Sequence, residues 1–90
     1  MREYKGPAVL RSADGTSGPV HAMLFELVEQ ASGMKVWSGR VRPDGDGDIM
    51  WKAFDNSPST ITIGERTADL IITSYGDDSS ELQGSGEPPF

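Results

Sequence analysis

The chain contains no cysteine and a single histidine, His21, among its ninety residues. Without cysteine there is no disulfide framework and no thiolate zinc site, and nothing calls for an oxidising compartment. No apolar run approaches the roughly 18 residues of a membrane-spanning helix. The opening Met1-Arg2-Glu3-Tyr4-Lys5-Gly6 has no apolar stretch after its charges and does not read as a secretory signal. A cytoplasmic location with no membrane contact is therefore the expectation. Basic residues are also scarce, eight against fourteen acidic, for a net charge of −6. That balance repels a phosphate backbone, and Arg2, Lys5, Arg11, Lys35, Arg40, Arg42, Lys52 and Arg66 are scattered rather than clustered, which argues against nucleic-acid binding.

What the sequence has instead is turn chemistry at short intervals. Asp14-Gly15, Gly18-Pro19, Ser32-Gly33, Pro43-Asp44-Gly45-Asp46-Gly47, Asn56-Ser57-Pro58 and Gly76-Asp77-Asp78 punctuate the chain, each pairing a residue that tolerates a tight backbone with one that starts a turn. Between them lie segments rich in β-branched, aromatic and other apolar residues at 7–11, 20–29, 34–41, 49–52, 60–63, 68–75 and 82–85. Such segments read as strands. Ile61 and Ile63 alternate with Thr60 and Thr62 as a half-buried strand requires. Leu70 and Ile72 oppose Ile71 and Thr73 with apolar atoms on both faces, the pattern of a central strand. The expected fold is all-β, a single domain over residues 1–90 forming a small antiparallel β-barrel or two-sheet sandwich of six to seven strands. Trp37, Phe25, Leu24, Ile61, Ile63, Leu70 and Ile72 are expected to supply much of its core.

Residues 20–31 admit two readings. Met23, Leu24, Leu27, Val28 and Ala31 fall at helical spacing, with Pro19 placed to start a helix and Gly33 to end it. The same segment also reads as a long strand, with Val20, Ala22, Leu24 and Val28 on one face and Met23, Phe25 and Leu27 on the other. Periodicity alone does not decide between them.

Three short patterns occur in order along the chain: Tyr4-x-Gly6-Pro7-Ala8-x-Leu10, Gly33-x-x-x-Trp37-x-Gly39-Arg40-Val41 and Gly84-x-Gly86-x-Pro88-Pro89-Phe90. Together they make the chain similar to an uncharacterised small domain family of actinobacteria, whose members stand alone or follow a flavin-dependent monooxygenase-like domain. The resemblance implies a β-hairpin turning at Gly33 ahead of the Trp37 strand, and an accessory role beside an oxidoreductase. It assigns no catalytic residue. The loop of residues 44–48 and the Tyr75-Gly76 pair depart from the family pattern. Independently of any family, Gly6-Pro7 and Gly39 suit a turn or a close backbone approach. Pro88-Pro89 would end the last strand and leave Phe90 to plug the core or lie on a partner.

Each motif with a chemical reading has a plainer structural one. Asp44-Gly45-Asp46-Gly47-Asp48 alternates carboxylates as a calcium loop does, with Asp55 in the twelfth place. However, Ile49 occupies the position that needs glycine, so the segment reads as a solvated acidic turn rather than a metal site. Tyr75-Gly76-Asp77-Asp78 matches a polymerase metal hairpin in four letters, in a chain too short for a polymerase palm. His21 has no nucleophile elbow to serve. Gly84-x-Gly86 is followed by Pro88-Pro89 where a phosphate-binding loop needs a helix. No catalytic residue, metal or cofactor is assigned.

Trp37, Arg40 and Tyr75 are the candidate ligand-binding residues. With Trp51 and Tyr4 they could line an apolar pocket in which Arg40 anchors an anionic group. The competing reading places both tryptophans in the core. The expected function is a non-enzymatic accessory or protein-interaction domain, with a protein partner or self-association, and a small-molecule-binding β-barrel is the alternative.

Overall fold

A computed structural model describes residues 3–28, 33, 35–45, 48–56, 58–76 and 78–90. Six strands and one helix occur in the order β1 (Glu3–Arg11), β2 (Ser17–Val28), β3 (Lys35–Pro43), α1 (Asp48–Asp55), β4 (Ser59–Ile63), β5 (Arg66–Ser74) and β6 (Ser80–Ser85). Two antiparallel meanders, β1–β2–β3 and β4–β5–β6, join edge to edge through the β3–β6 and β1–β4 pairs. The result is a closed barrel in the order β1-β2-β3-β6-β5-β4. The closing β1–β4 pairing is short, running from Val9↔Thr62 to Arg11↔Thr60.

Residues 20–28 are strand, and residues 29–31 lie outside the described residues. Nine consecutive pairs from Glu3↔Phe25 to Arg11↔Ser17, and nine more from Val20↔Pro43 to Val28↔Lys35, hold β2 between two neighbours. Both apolar faces of β2 are as the alternation implies: Val20, Ala22 and Leu24 point in, while Met23, Phe25 and Leu27 point out. Phe25 is thus not a core residue. It stands 37% exposed on the outer wall, because a closed barrel buries only one face of each strand. Leu10, Trp37, Val41, Ile61, Leu70, Ile72 and Leu82 complete the interior, and Ile63 packs at its margin. Six strands enclose less room than the eight that just hold side chains or one small ligand. Accordingly the interior is solid.

Residues 49–52 form part of α1 rather than a strand. Ile49, Met50 and Ala53 are buried, at the spacing that puts residues on one helical face. Asp48 in the first turn and Lys52 in the last complement the helix dipole. The helix lies across one barrel end, against β1, β3 and β5. Ser59, fully buried, donates its hydroxyl to the Ala53 carbonyl at 2.9 Å, satisfying an oxygen that the helix terminus leaves open. Trp51 points outward and is 48% exposed, so only one of the two tryptophans fills the core.

The β1–β2 turn fastens to this helix. The Ala13 N–H donates to the Asn56 carbonyl at 3.2 Å, and Lys52 Nζ lies 3.8 Å from Asp14 Oδ2. Asp14 also accepts from the Ser12 hydroxyl and from the Thr16 N–H at 2.9 Å. These donors, Ser12 first and Thr16 next, with a smaller contribution from Lys52, lower its pKa from 3.8 to about 2. A carboxylate depressed by folding stabilises the native state above its ordinary pKa, and that contribution is lost as the pH falls toward the folded value. Acid titration should therefore weaken wild type between about pH 4 and 2 by more than it weakens Asp14→Asn. Parallel acid-unfolding curves for the two proteins would remove the turn from this role.

The opposite end is closed by residues 88–90. Pro88 and Pro89 are buried, and Phe90 sets its ring edge-on to Trp37, centroids 6.4 Å apart, and nearly parallel to Tyr4 at 6.3 Å. The Tyr4 hydroxyl donates to the Pro7 carbonyl at 2.6 Å. Two glycines make the wall fit its contents. A Cβ on Gly39 would fall 2.0 Å from the Met23 carbonyl oxygen, and one on Gly84 would fall 1.8 Å from the Trp37 ring.

Candidate functional site

Of the three candidate ligand residues, Trp37 and Arg40 border one groove from opposite faces of β3, and Tyr75 lies apart from both. Trp37 is fully buried inside the barrel. Arg40, three residues along the same strand, points outward and pairs with Glu81 on β6 at 3.2 Å, with both side chains more than half exposed. Tyr75 lies at the helix-covered end, just beyond a register shift between Ile72 and Ser74 in the β5–β6 pairing. Such an irregularity bends a strand and re-aims the residues beyond it. Tyr75 therefore joins neither of the other two. It packs on α1, its ring centroid 5.6 Å from Trp51 and 5.7 Å from Phe54.

Two apolar surfaces emerge. The first is the outer wall of β1, β2, β3, β6 and the end of β5, where a groove of about 460 Å³ is lined by Phe25, Leu27, Val36, Thr73, Glu81 and Gln83. A second groove of about 330 Å³, lined by Glu3, Lys5 and Met23, shares Phe25, Gly39 and Arg40 with it. Phe25 and Arg40 thus form the ridge between two shallow, solvent-open depressions. The second surface is the exposed trio of Trp51, Phe54 and Tyr75, whose ring centroids lie 5.6 to 5.9 Å from one another.

The family described as "Domain of unknown function (DUF4873)" matches residues 1–90. The chain belongs to that family. No curated protein and no solved structure matches it. The three patterns that run through this DUF4873 domain have concrete structural roles. Tyr4, Trp37 and Phe90 meet at one end of the barrel, Gly39 admits the backbone of β2, and Gly84 lies under the Trp37 ring.

Asp44 directly follows β3, with its N–H donating to the Pro19 carbonyl at 3.1 Å, and Asp48 opens α1. Asp46 and Gly47 lie outside the described residues, as does Asp77 of the Tyr75-Gly76-Asp77-Asp78 turn. Among the described residues no three histidine, cysteine, aspartate or glutamate side chains gather where they could hold a metal. No described helix is long and apolar enough to cross a membrane. His21 stands half-buried on the outer face opposite Pro7 and Arg42.

Reading the sequence missed the surface aromatic Phe54; it grouped Trp51 with Tyr75, and Met23, Phe25 and Leu27 on one face, without showing that these meet solvent. A signal for the second group was present: β2 is apolar on both faces, and in a closed barrel one of those faces must meet solvent. Glu26 was missed as well. It points inward, 9% exposed, directly across the β2–β3 pairing from Trp37.

Proposed function

We propose that this domain is a non-enzymatic protein-interaction module whose contact surface is the outer wall centred on Phe25 and Arg40. The observation that carries the reading is the exposure of Met23, Phe25 and Leu27 in one row of a strand whose inner face is fully packed. Single exposed apolar side chains are ordinary, whereas adjoining ones that border grooves mark places where a partner excludes water. Arg40, with a planar guanidinium beside an exposed phenylalanine, supplies a polar anchor of the kind enriched at interfaces. Nothing in this reading needs a metal, a cofactor or a catalytic group.

The resemblance to domains that accompany flavin-dependent monooxygenase-like proteins makes an oxidoreductase the first partner class to test. Immobilised wild-type domain should retain a specific protein from the source cell, and Phe25→Ser should lose it while keeping the wild-type circular dichroism spectrum. Retention of the same protein by both, or of none by wild type, would end the proposal.

A further inference from the structure

The two meanders meet along two seams of unequal length. β3 and β6 pair over six residues, from Val36↔Ser85 to Val41↔Ser80, whereas β1 and β4 pair over three, from Val9↔Thr62 to Arg11↔Thr60. Within each meander the strands follow one another in the chain, so a connecting turn keeps partners close even when their hydrogen bonds break. β1 and β4 have no such tether. The chain runs through β2, β3 and α1 between them, and re-forming the pair closes that whole loop, at an entropic cost that grows with its length.

Little reinforces the three pairs. Residues 3–8 of β1 pair with β2, yet among the described residues no strand pairs with them on the other flank. Phe90 packs on Tyr4 of this stretch after two buried prolines, and proline has no N–H to add to a ladder. Beyond Arg11 the fastenings are one backbone bond, Ala13 N–H to the Asn56 carbonyl, and the approach of Lys52 to Asp14. Both of those side chains are partly exposed, and such ion pairs contribute little. Against opening stand Leu10 and Ile61, directly opposite one another and fully buried. Separating the strands hydrates both, which keeps the opened form a minor one.

We propose that the β1–β4 seam is a gate: the barrel opens there, short of global unfolding, by turning one meander against the other about the intact β3–β6 pairing. The opened form is a six-stranded sheet with β1 and β4 as its edges. It presents Leu10 and Ile61 together with unpaired strand backbone, which is able to accept an added strand. An interior that is solid when closed is reached through this seam. The gate is independent of what binds the outer wall.

Amide hydrogen exchange on the whole chain, read residue by residue by nuclear magnetic resonance, tests it. The amides of residues 9–11 and 60–62 that bond across the seam should be about tenfold or more less protected than those of the β2–β3 and β3–β6 ladders, and should share one level as a cooperative opening requires. The chain has no cysteine, so Val9→Cys with Thr62→Cys creates a single possible cystine. Residues directly opposite on antiparallel strands lie within disulfide range, and Val9 stands 45% exposed on the outside. Oxidised, this double variant should bring the seam amides up to the level of the β2–β3 ladder; reduced, it should exchange as wild type does. If that pair fails to oxidise, Arg11→Cys with Thr60→Cys locks the other end of the same seam.

Seam amides as well protected as the β2–β3 ladder in wild type overturn the gate, since the barrel then opens only by unfolding. Loss of β3–β6 protection together with the seam overturns it too, because the meanders then separate outright. So does an oxidised seam that still exchanges about tenfold faster than β2–β3, which would assign the exchange to fraying of single residues.

Discussion

Gly84→Ala should melt well below wild type, and most of that loss should vanish once Trp37 has been made smaller. A methyl at position 84 would lie 1.8 Å from one carbon of the Trp37 ring and 2.1 Å from another. The ring has nowhere to go: it is fully buried, and Phe90 abuts it edge-on at 6.4 Å. Gly84 is itself held between Trp37 on β3 and Leu70 on β5. Overpacking of a rigid site costs about 1–3 kcal/mol, and more where nothing yields. The upper end applies here, against a total of roughly 5–15 kcal/mol for a domain of this kind. That corresponds to a fall of roughly 10–20 °C in melting temperature.

Trp37→Leu leaves a cavity and is destabilising in its own right. In that background, however, adding the Gly84→Ala methyl should cost less than about 0.5 kcal/mol, so the pair should be strongly non-additive. Melting curves of the four proteins in the cycle decide the matter. Equal effects of Gly84→Ala in both backgrounds would show that the glycine serves the backbone and not the tryptophan.

The second large effect is at the other end. Met50→Ala should cost about 2–5 kcal/mol, the range for emptying a fully packed methionine site, because α1 closes the barrel with Ile49, Met50 and Ala53. Trp51→Ala, one residue on and a far larger truncation, should stay within about 1 kcal/mol, since the side chain stands 48% exposed and what it loses is contact with Phe54 and Tyr75. Denaturant titrations of the two variants separate helix from strand directly. A strand over residues 49–52 would carry positions 50 and 51 to opposite faces with no helical partner at 53. A large loss at Trp51 with a small one at Met50 would overturn the helical plug.

The contrast between these neighbours shows how much of the molecule can be read along the chain. Strands at 60–63 and 68–75 were legible because a strand exposes its alternation in any context: Ile61, Leu70 and Ile72 are buried wherever the partners come from. The both-faced pattern of β2 was legible as well, down to which residues share a face. Which of its faces turns inward was not legible, since that depends on closure. In a sandwich a central strand can bury one face and cover the other, but in a barrel the second face meets water, which is why Phe25 lies outside. Residues 49–52 misled for a different reason. Four residues are too few to distinguish period 2 from period 3.6, and the buried Ala53 that completes the helical face looks like any small residue in sequence.

The candidate site divides in the same way. Trp37 and Arg40 are two of a motif's letters, yet three residues along a strand carry a side chain from the interior to the outer wall. Tyr75 is remote from both because a register shift after Ile72 sends it toward α1. The Trp51, Phe54 and Tyr75 cluster joins a helix to the end of a strand more than twenty positions away, and no local pattern announces it.

By itself, then, the sequence determined an all-β domain with no disulfide and no cysteine metal site, the turns that separate its strands, and the alternation within them. These depend on single side chains and their nearest neighbours. Tertiary structure alone decided that the sheet closes, that a helix plugs one end, that Phe90 packs on Trp37 and Tyr4 at the other, and that apolar side chains of β2 and α1 remain in solvent. Those outcomes depend on which face of each strand the closing sheet turns inward, a choice made jointly by residues far apart in the chain.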